Sequence, residues 1–481
     1  MNNLNKFMSA EYLNLWNSDV QARIDSDIEK HRKADASFAP VENLAPGTEV
    51  KIEQVSHSFV FGAHIFNFDQ LGKDEYNEKY KALYGTLFNS ATIPFYWKCF
   101  EPEEGKPRFV AEYRDSADFW NAVKNPKEQP HWRRPATDPI VEFCERKGIR
   151  RHGHPIVWGN RKWHYPEWLV KKLPAELAAE ALKPGSHHSQ FNRILEEFTP
   201  AQIHELLSDF TLELHTAMAK RIFELALRNK DRINSWDIVN ESAGDVEHGR
   251  MLPEEPICKS LYGLMPGDYT YRGFKIADSV FPKNVALNIN DYNLSEFYIR
   301  QVADLLTRGC KIDILGAQMH LFDPQSCLDI ADGKTREKSP DDLWDTMSLL
   351  SKTRLPIHLS EITITAPGDD ERGRALQAVI ARNMYRLWFS TQNMMGITWW
   401  NVVDDCGAPG EPSVSGLFTR DMQPKPAYHA LNELIHGEWK TNTAVKADAN
   451  GKVNFRGFRG SYRLSWKDAN GATQTTAFEL N

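Results

Sequence analysis

The chain has 481 residues, 41% of them hydrophobic, and a net charge of -7, enough apolar sequence to bury a substantial core in a globular protein. The acidic balance and the lack of any long Lys/Arg cluster speak against a nucleic-acid partner, and no run of 18 apolar residues offers a membrane span. The six cysteines, at 99, 144, 258, 310, 327 and 406, form no CxxC pair and stand beside no His at zinc-finger spacing, so neither a metal site nor a disulfide framework is expected and they read as buried free thiols.

Residues 1 to about 45 are polar and charged, with a weak helical period in Tyr12, Leu13, Trp16, Val20 and Ile24, and read as an N-terminal helix and linker. Met1 to Trp16 shows no basic region followed by an apolar run, so the chain as it stands is expected to be cytoplasmic. A polysaccharide-degrading enzyme would ordinarily be exported, and a secreted or periplasmic protein that has lost its signal peptide stays open. Glu49 to Ala63 alternates and then turns apolar, which predicts one or two strands, the last entering a core.

From there strand-like and helical runs alternate. Asn89 to Ile93 is a strand candidate, followed by the aromatic segment Pro94-Phe95-Tyr96-Trp97. Asp138-Pro139 makes a helix start, with an apolar face in Ile140, Val141, Phe143 and Cys144 that closes at Gly148. Arg151 to Trp158 is the next strand, and a long helical region fills about 172 to 230 with a break at Pro184-Gly185. A buried strand over 234 to 239 ends abruptly in Asn240-Glu241. Val285 to Asn290 is a strand, Phe297, Ile299, Val302, Leu305 and Leu306 lie on one helical face, and Ile312 to Leu321 follows as strand and loop. Pro356 to Glu361 is a short strand, Leu376, Val379, Ile380, Met384 and Leu387 mark an amphipathic helix, and Gly396 to Trp400 is the last strand.

Strands near 60, 90, 155, 237, 287, 315, 358 and 398 make eight, separated mainly by helices, which is the count of a (β/α)8 TIM barrel. After about 436 the turn signals Asp448 to Gly451 and Asp468 to Gly471 stand among alternating residues and predict a small antiparallel β appendage. The expected organisation is an N-terminal helix and linker over 1–45, a β segment over 46–57 that pairs with the C-terminal appendage, a barrel over 58–435 and the appendage itself over 436–481.

In such a barrel, residues past the C-terminal ends of the strands gather in one mouth. Glu241 ends the fourth strand and Glu361 the seventh, so two carboxyls distant in sequence would face one cleft. By itself Glu241 could equally be a surface or capping acid. Paired acids are the equipment for glycoside hydrolysis, one protonating the leaving oxygen while the other attacks the anomeric carbon; a separation of ~5 Å implies retention and ~6.5–9.5 Å inversion. Aromatic residues reach 11%, with 14 Trp, and aromatic planes stack on sugar rings, although core packing accounts for most of them. Asp237, Glu241, His320 and Glu361 form no tight ligand cluster, so no metal and no cofactor are expected.

The chain resembles family 10 glycoside hydrolases, the family of retaining endo-β-1,4-xylanases. The resemblance is carried by Gly153-His-Pro-Ile-Val-Trp158, Trp236-Asp-Ile-Val-Asn-Glu241, Asn290-Asp-Tyr-Asn293, Gly316-Ala-Gln-Met-His-Leu321, Leu359-Ser-Glu-Ile-Thr363 and Ile397-Thr-Trp-Trp400, in the family's order over roughly residues 58 to 435. It implies that Glu241 is the acid/base and Glu361 the nucleophile. It implies further that Asn240 binds the 2-hydroxyl of the sugar being cleaved, that His320 orients the nucleophile, and that Gln318 and Tyr292 stand beside the same sugar. His154 and Trp158 match sugar contacts after the third strand, and Trp400 the aromatic floor. Trp236 reads as packing and Asp237 as a support behind the site.

The departures concern the periphery. Positions where the family carries a Glu-Asn pair and a Lys that hold the next sugar out fall on Thr92, Ile93 and Tyr96, so that polar clamp is expected to be missing. A family His falls on Gly159, and an Arg and a second Trp on Val403 and Ala408. The implied function is retaining hydrolysis of β-1,4-xylosidic bonds in xylan or xylo-oligosaccharides. A hydrolase of decorated xylan or of another β-glycoside, exo-acting or not, and a non-catalytic carbohydrate-binding barrel remain as alternatives.

Overall fold

The computed structural model describes residues 4–39, 44–183, 196 and 198–481. Eight parallel strands close into a barrel: β1 (Val60–His64), β2 (Ser90–Pro94), β3 (Arg150–His154), β4 (Ser235–Asn240), β5 (Ala286–Asp291), β6 (Ile314–Leu321), β7 (Ile357–Ile364) and β8 (Met394–Trp399). Each pairs with the next and β8 returns to β1. The strands are covered by helices outside and by one another inside, so four of the eight are buried along their whole length and read as continuous runs rather than alternating ones. All eight strands expected from the sequence are present, in a (β/α)8 barrel.

The barrel interior is partly polar, and several of its side chains pair with one another. His152 Nε2 meets Asp237 Oδ2 at 2.9 Å, and His358 Nε2 meets Thr398 Oγ1 at 2.8 Å. Close approach of β3 to β4 depends on Gly153, where a Cβ would fall 2.2 Å from Cε3 of the fully buried Trp236. That indole packs between Phe95 and Phe281, a packing role rather than a contact with the cleft.

Several boundaries differ from the expected ones. The third strand stops at His154, because Pro155 has no N–H to continue the ladder, and the chain rejoins through a single bridge from Val157 to Val239. The helix assigned to Asp138-Pro139 begins at Thr137, and the Asp138 carboxylate pairs with Arg228 instead of capping. The region after 172 contains helices Ala175–Ala181, Pro200–Leu206 and Ser208–Asn229; the Pro184-Gly185 break lies outside the described residues. Glu361 does not end its strand, since β7 continues to Ile364.

At the N-terminus Asn17 accepts the N–H groups of Asp19 and Val20, both at 3.0 Å, and so divides helix Ala10–Leu15 from helix Ser18–Arg32. What reads as linker contains a strand, Lys33–Phe38, antiparallel to Val453–Phe458. The remaining appendage is a sheet in the order Asn442–Lys446, Glu49–His57, Gly460–Lys467, Thr473–Leu480 around Val50, Ile52, Tyr462 and Leu464. The Asx turns at Asp448 and Asp468 reverse its chain, each carboxylate accepting two backbone N–H groups. Because Glu49–His57 leads directly into the N-terminal end of β1, the appendage braces the barrel floor, away from the strand ends that carry the site. Among the described residues no helix is long and apolar enough to cross a membrane.

Candidate active site

The C-terminal mouth of the barrel opens into a cleft of about 1000 Å3 that contains both Glu241 and Glu361. Glu241 follows β4 directly and adopts φ 53°, a left-handed conformation that costs a non-glycine residue on the order of 1 kcal/mol and is typical of residues held for function. Two contacts hold it there. Its N–H donates to Asn290 O at 2.8 Å, and buried Asp291 accepts the N–H groups of Ser242 and Ala243, each at 2.7 Å. Burial pushes the Asp291 carboxyl up to about 6 while those backbone donors hold it down.

The Glu241 carboxyl is partly exposed to the cleft. Trp158 Nε1 and Tyr262 OH both donate to its Oε2 at 3.0 Å, and Gln318 Nε2 donates to Oε1 at 3.3 Å. Burial, followed by the charge of Glu361, pushes its pKa up to about 8, against the opposing effect of the Gln318 and Tyr262 donors.

Glu361 occupies a bulge. Ala317 and Gln318 of β6 face Leu359 and Glu361 of β7, so Ser360 is the extra residue, and the ladder to β8 is interrupted between Leu359 and Ile362. A bulge re-aims the following side chain, here into the barrel mouth. Only 5% exposed, Glu361 accepts from Asn290 Nδ2 at 2.8 Å and has His320 Nε2 at 3.4 Å and His154 Nε2 at 3.7 Å. Those are the surroundings of an acceptor. His320 is itself fixed by Thr363 Oγ1 at 2.9 Å and by a stack on Phe322 with ring centroids 4.3 Å apart.

Asn290 also donates to Asn240 Oδ1 at 2.9 Å, and Ser360 Oγ holds the Asn290 oxygen at 2.5 Å. With its oxygen engaged, Asn240 offers its amide nitrogen to the cleft it lines. His154 is bound on one side by Asp237 Oδ2 at 2.8 Å and on the other by Tyr96 OH at 3.2 Å. Burial works against its protonation, but the carboxylates of Glu361 and Asp237 outweigh that and raise its pKa. Asp237 also takes His152, and despite its burial the two imidazoles hold it well below the usual carboxylate range.

All nine residues expected at the site line this one cleft: Glu241 and Glu361 with Asn240, His154, Trp158, Tyr292, Gln318, His320 and Trp400. Their contacts are more specific than sugar binding alone. Trp158, expected against a sugar, donates to Glu241, while Trp400 meets His64, Phe66, His154 and His320 edge-on. Tyr292 is 52% exposed and meets Tyr262 OH to OH at 3.0 Å.

Sequence reading missed Asn290, which links the two acids' neighbourhoods, and Tyr262, which touches Glu241. Asn290 stands first in a motif that was singled out for Tyr292, so a signal was present. Tyr262 lies between the short strands Ile257–Lys259 and Leu264–Pro266, in a β4 loop with no motif. Nor is the position of the missing clamp empty of polar groups. Arg133, with Nη1 3.4 Å from Glu411 Oε2, and Arg134, stacked on Tyr96, stand there instead.

Comparisons with known proteins bear on the family and the fold. The family model for glycosyl hydrolase family 10 matches residues 116–434. The chain is 22% identical over 302 residues to endo-1,4-beta-xylanase A of Thermoanaerobacterium saccharolyticum, covering 61% of this chain and 22% of that protein. It is also 22% identical over 435 residues to anti-sigma-I factor RsgI6 of Acetivibrio thermocellus, covering 90% of this chain and 43% of that protein. The chain therefore spans less than half the length of these relatives. Among solved structures, xylanase 10B of Thermotoga maritima matches with a TM-score of 0.54 and 20% identity over 79% of this chain and 96% of that one. The Thermotoga petrophila xylanase 10B, in complex with xylobiose, matches at 0.53 and 19% over 79% and 95%. At such identities these structures speak for the shared barrel fold, but the family model covers about two thirds of the sequence and both acids, and the chain belongs to glycosyl hydrolase family 10.

Proposed function

We propose that this chain is a retaining glycoside hydrolase that cleaves β-1,4-xylosidic bonds in xylan or xylo-oligosaccharides. The observation that carries the reading is the pair of unlike carboxyls in one cleft, with Glu241 pushed up to about 8 and Glu361 held by Asn290 and two imidazoles. Near neutral pH Glu241 holds a proton to give to the leaving oxygen, and Glu361 attacks the anomeric carbon. Once the leaving group has departed, Glu241 is the base that takes a proton from water as the glycosyl ester is cleaved, and each group returns to its first state.

The substrate assignment draws on the xylanases among the relatives and on Asn240, whose amide nitrogen is available for a sugar hydroxyl. A purely binding barrel has no use for two acids in unlike environments. Glu361→Ala is expected to abolish turnover of a xylo-oligosaccharide, and substantial residual activity would refute the nucleophile. Proton NMR at early times should show the β-anomer first; an initial α-anomer contradicts retention.

A further inference from the structure

The two ends of the cleft differ in chemistry. The end built by loops after β4 to β6 carries Tyr262 and Tyr292 beside Glu241 and so receives the leaving group. The opposite end, built by loops after β2 and β8, carries Tyr96, Arg133, Arg134 and Glu411. A chain cleaved between the acids places its glycone side there, beyond the sugar that rests on Glu361.

Two guanidinium groups face a single carboxylate at that end. Arg133 is 2% exposed and engaged through both Nη atoms, with Glu411 at 3.4 Å, Asn401 Oδ1 at 3.0 Å and His64 Nε2 at 2.9 Å. Glu411 meets it through Oε2, which also accepts from Asn401 Nδ2 at 2.9 Å and from Ala408 N at 2.8 Å. Arg134 differs. Its Cζ lies 3.5 Å from the centroid of the Tyr96 ring, Nη1 donates to Arg133 O at 2.8 Å, and the group forms part of the cleft wall. Among the described residues it makes no ion pair.

The stack and the backbone bond hold the guanidinium plane in one orientation before any ligand arrives, and a preoriented fork matches a carboxylate better than it matches a neutral hydroxyl. Tyr96 joins this wall to the reacting centre, because its hydroxyl is 3.2 Å from His154 Nε2. Resting on the glycosidase reading above, we propose that Arg134 is a specificity residue that binds the carboxylate of a uronic acid carried on the glycone side of the scissile bond. The preferred substrate is then an acidic, branched xylan chain rather than the bare polymer.

The test uses the full chain and three xylo-oligosaccharides: one bearing a glucuronic acid branch, the same molecule with its carboxyl reduced to the alcohol, and the unbranched backbone. Wild-type protein is expected to favour the acid over its reduced form in kcat/KM by roughly tenfold, the worth of one charge-assisted hydrogen bond, with the ratio falling as salt is added. Arg134→Gln, which keeps a planar donor without the charge, should bring the ratio close to one, and Arg134→Lys should keep part of it. Equal use of acid and alcohol by the wild type, or a preference that survives Arg134→Gln, overturns the proposal. Calorimetric binding to Glu361→Ala separates this proposal from the glycosidase reading. If none of the three is hydrolysed, tighter binding of the acid than of the alcohol still supports Arg134 and equal binding refutes it. A sulfated oligosaccharide bound more tightly than the carboxylated one overturns the assignment to a carboxylate.

Discussion

Asn290 carries the sharpest prediction about the reaction centre. One hydrogen of its Nδ2 goes to Glu361 Oε1 at 2.8 Å and the other to Asn240 Oδ1 at 2.9 Å, so Asn290→Ala removes a bond to each. A hydrogen bond to a charged group contributes about 1.5–3 kcal/mol and a neutral one about 0.5–1.5 kcal/mol. Loss of the charged bond alone, if it acts on the transition state, lowers kcat/KM roughly ten- to 150-fold, and a free Asn240 adds to the loss. Folding should survive, since Ser360 Oγ retains Ala317 O at 3.3 Å as an acceptor. Asn290→Asp keeps the shape but turns an oxygen toward two oxygens, and should be slower than the Ala variant. The assay is initial-rate hydrolysis of an aryl β-xylobioside, with thermal melting as the control for folding. A well-folded Asn290→Ala protein that retains kcat/KM within about threefold of wild type would refute the role assigned to this amide.

Other predictions follow from the same contacts. The proposed role of Glu241 as acid requires its protonated form, so kcat/KM should fall as pH rises through about 8. In Glu361→Gln, NMR of labelled glutamate should show Glu241 titrating below its wild-type value, because one of the charges that raises it is gone; an unmoved value would contradict the coupling. The same shift sets a stability trend. The folded Glu241 binds its proton more tightly than an ordinary Glu, so its contribution is present below the usual 4.5 and is lost as pH rises toward about 8. Melting temperature should show this slope in the wild type and a weaker one in Glu241→Gln. Tyr262→Phe removes a donor that stabilises the Glu241 carboxylate, so its alkaline limb should move to higher pH; a downward move would refute the contact. Gly153→Ala places a methyl 2.2 Å from Trp236 Cε3 and should cost about 1–3 kcal/mol, read as a lower denaturation midpoint in urea.

Much of the fold and the two cleft carboxyls were legible in sequence because both are written in short local patterns. A barrel strand is a brief apolar run between helical periods, and all eight were found that way. The place of an acid relative to a strand end follows from such a run, so sequence alone puts Glu241 and Glu361 in one mouth. Even there the local reading was coarse. The bulge at Ser360, which turns Glu361 inward with three residues of β7 still to come, depends on how β6 and β8 pair with that strand. The strand Lys33–Phe38 was hidden for a related reason: its partner, Val453–Phe458, lies at the other end of the chain.

The architecture and the two carboxyls are thus legible along the chain, because periodicity and strand-end position are properties of a few neighbouring residues. The tertiary structure decided what surrounds those carboxyls: Asn290 between Glu361 and Asn240, Tyr262 on Glu241, and Arg134 over Tyr96 where the sugar clamp was expected to have vanished. Loops that follow different strands bring these groups together, and their paths are set by packing across the barrel mouth, which no local pattern records. Strand ends therefore place the two carboxyls, and contacts between loops shape what surrounds them.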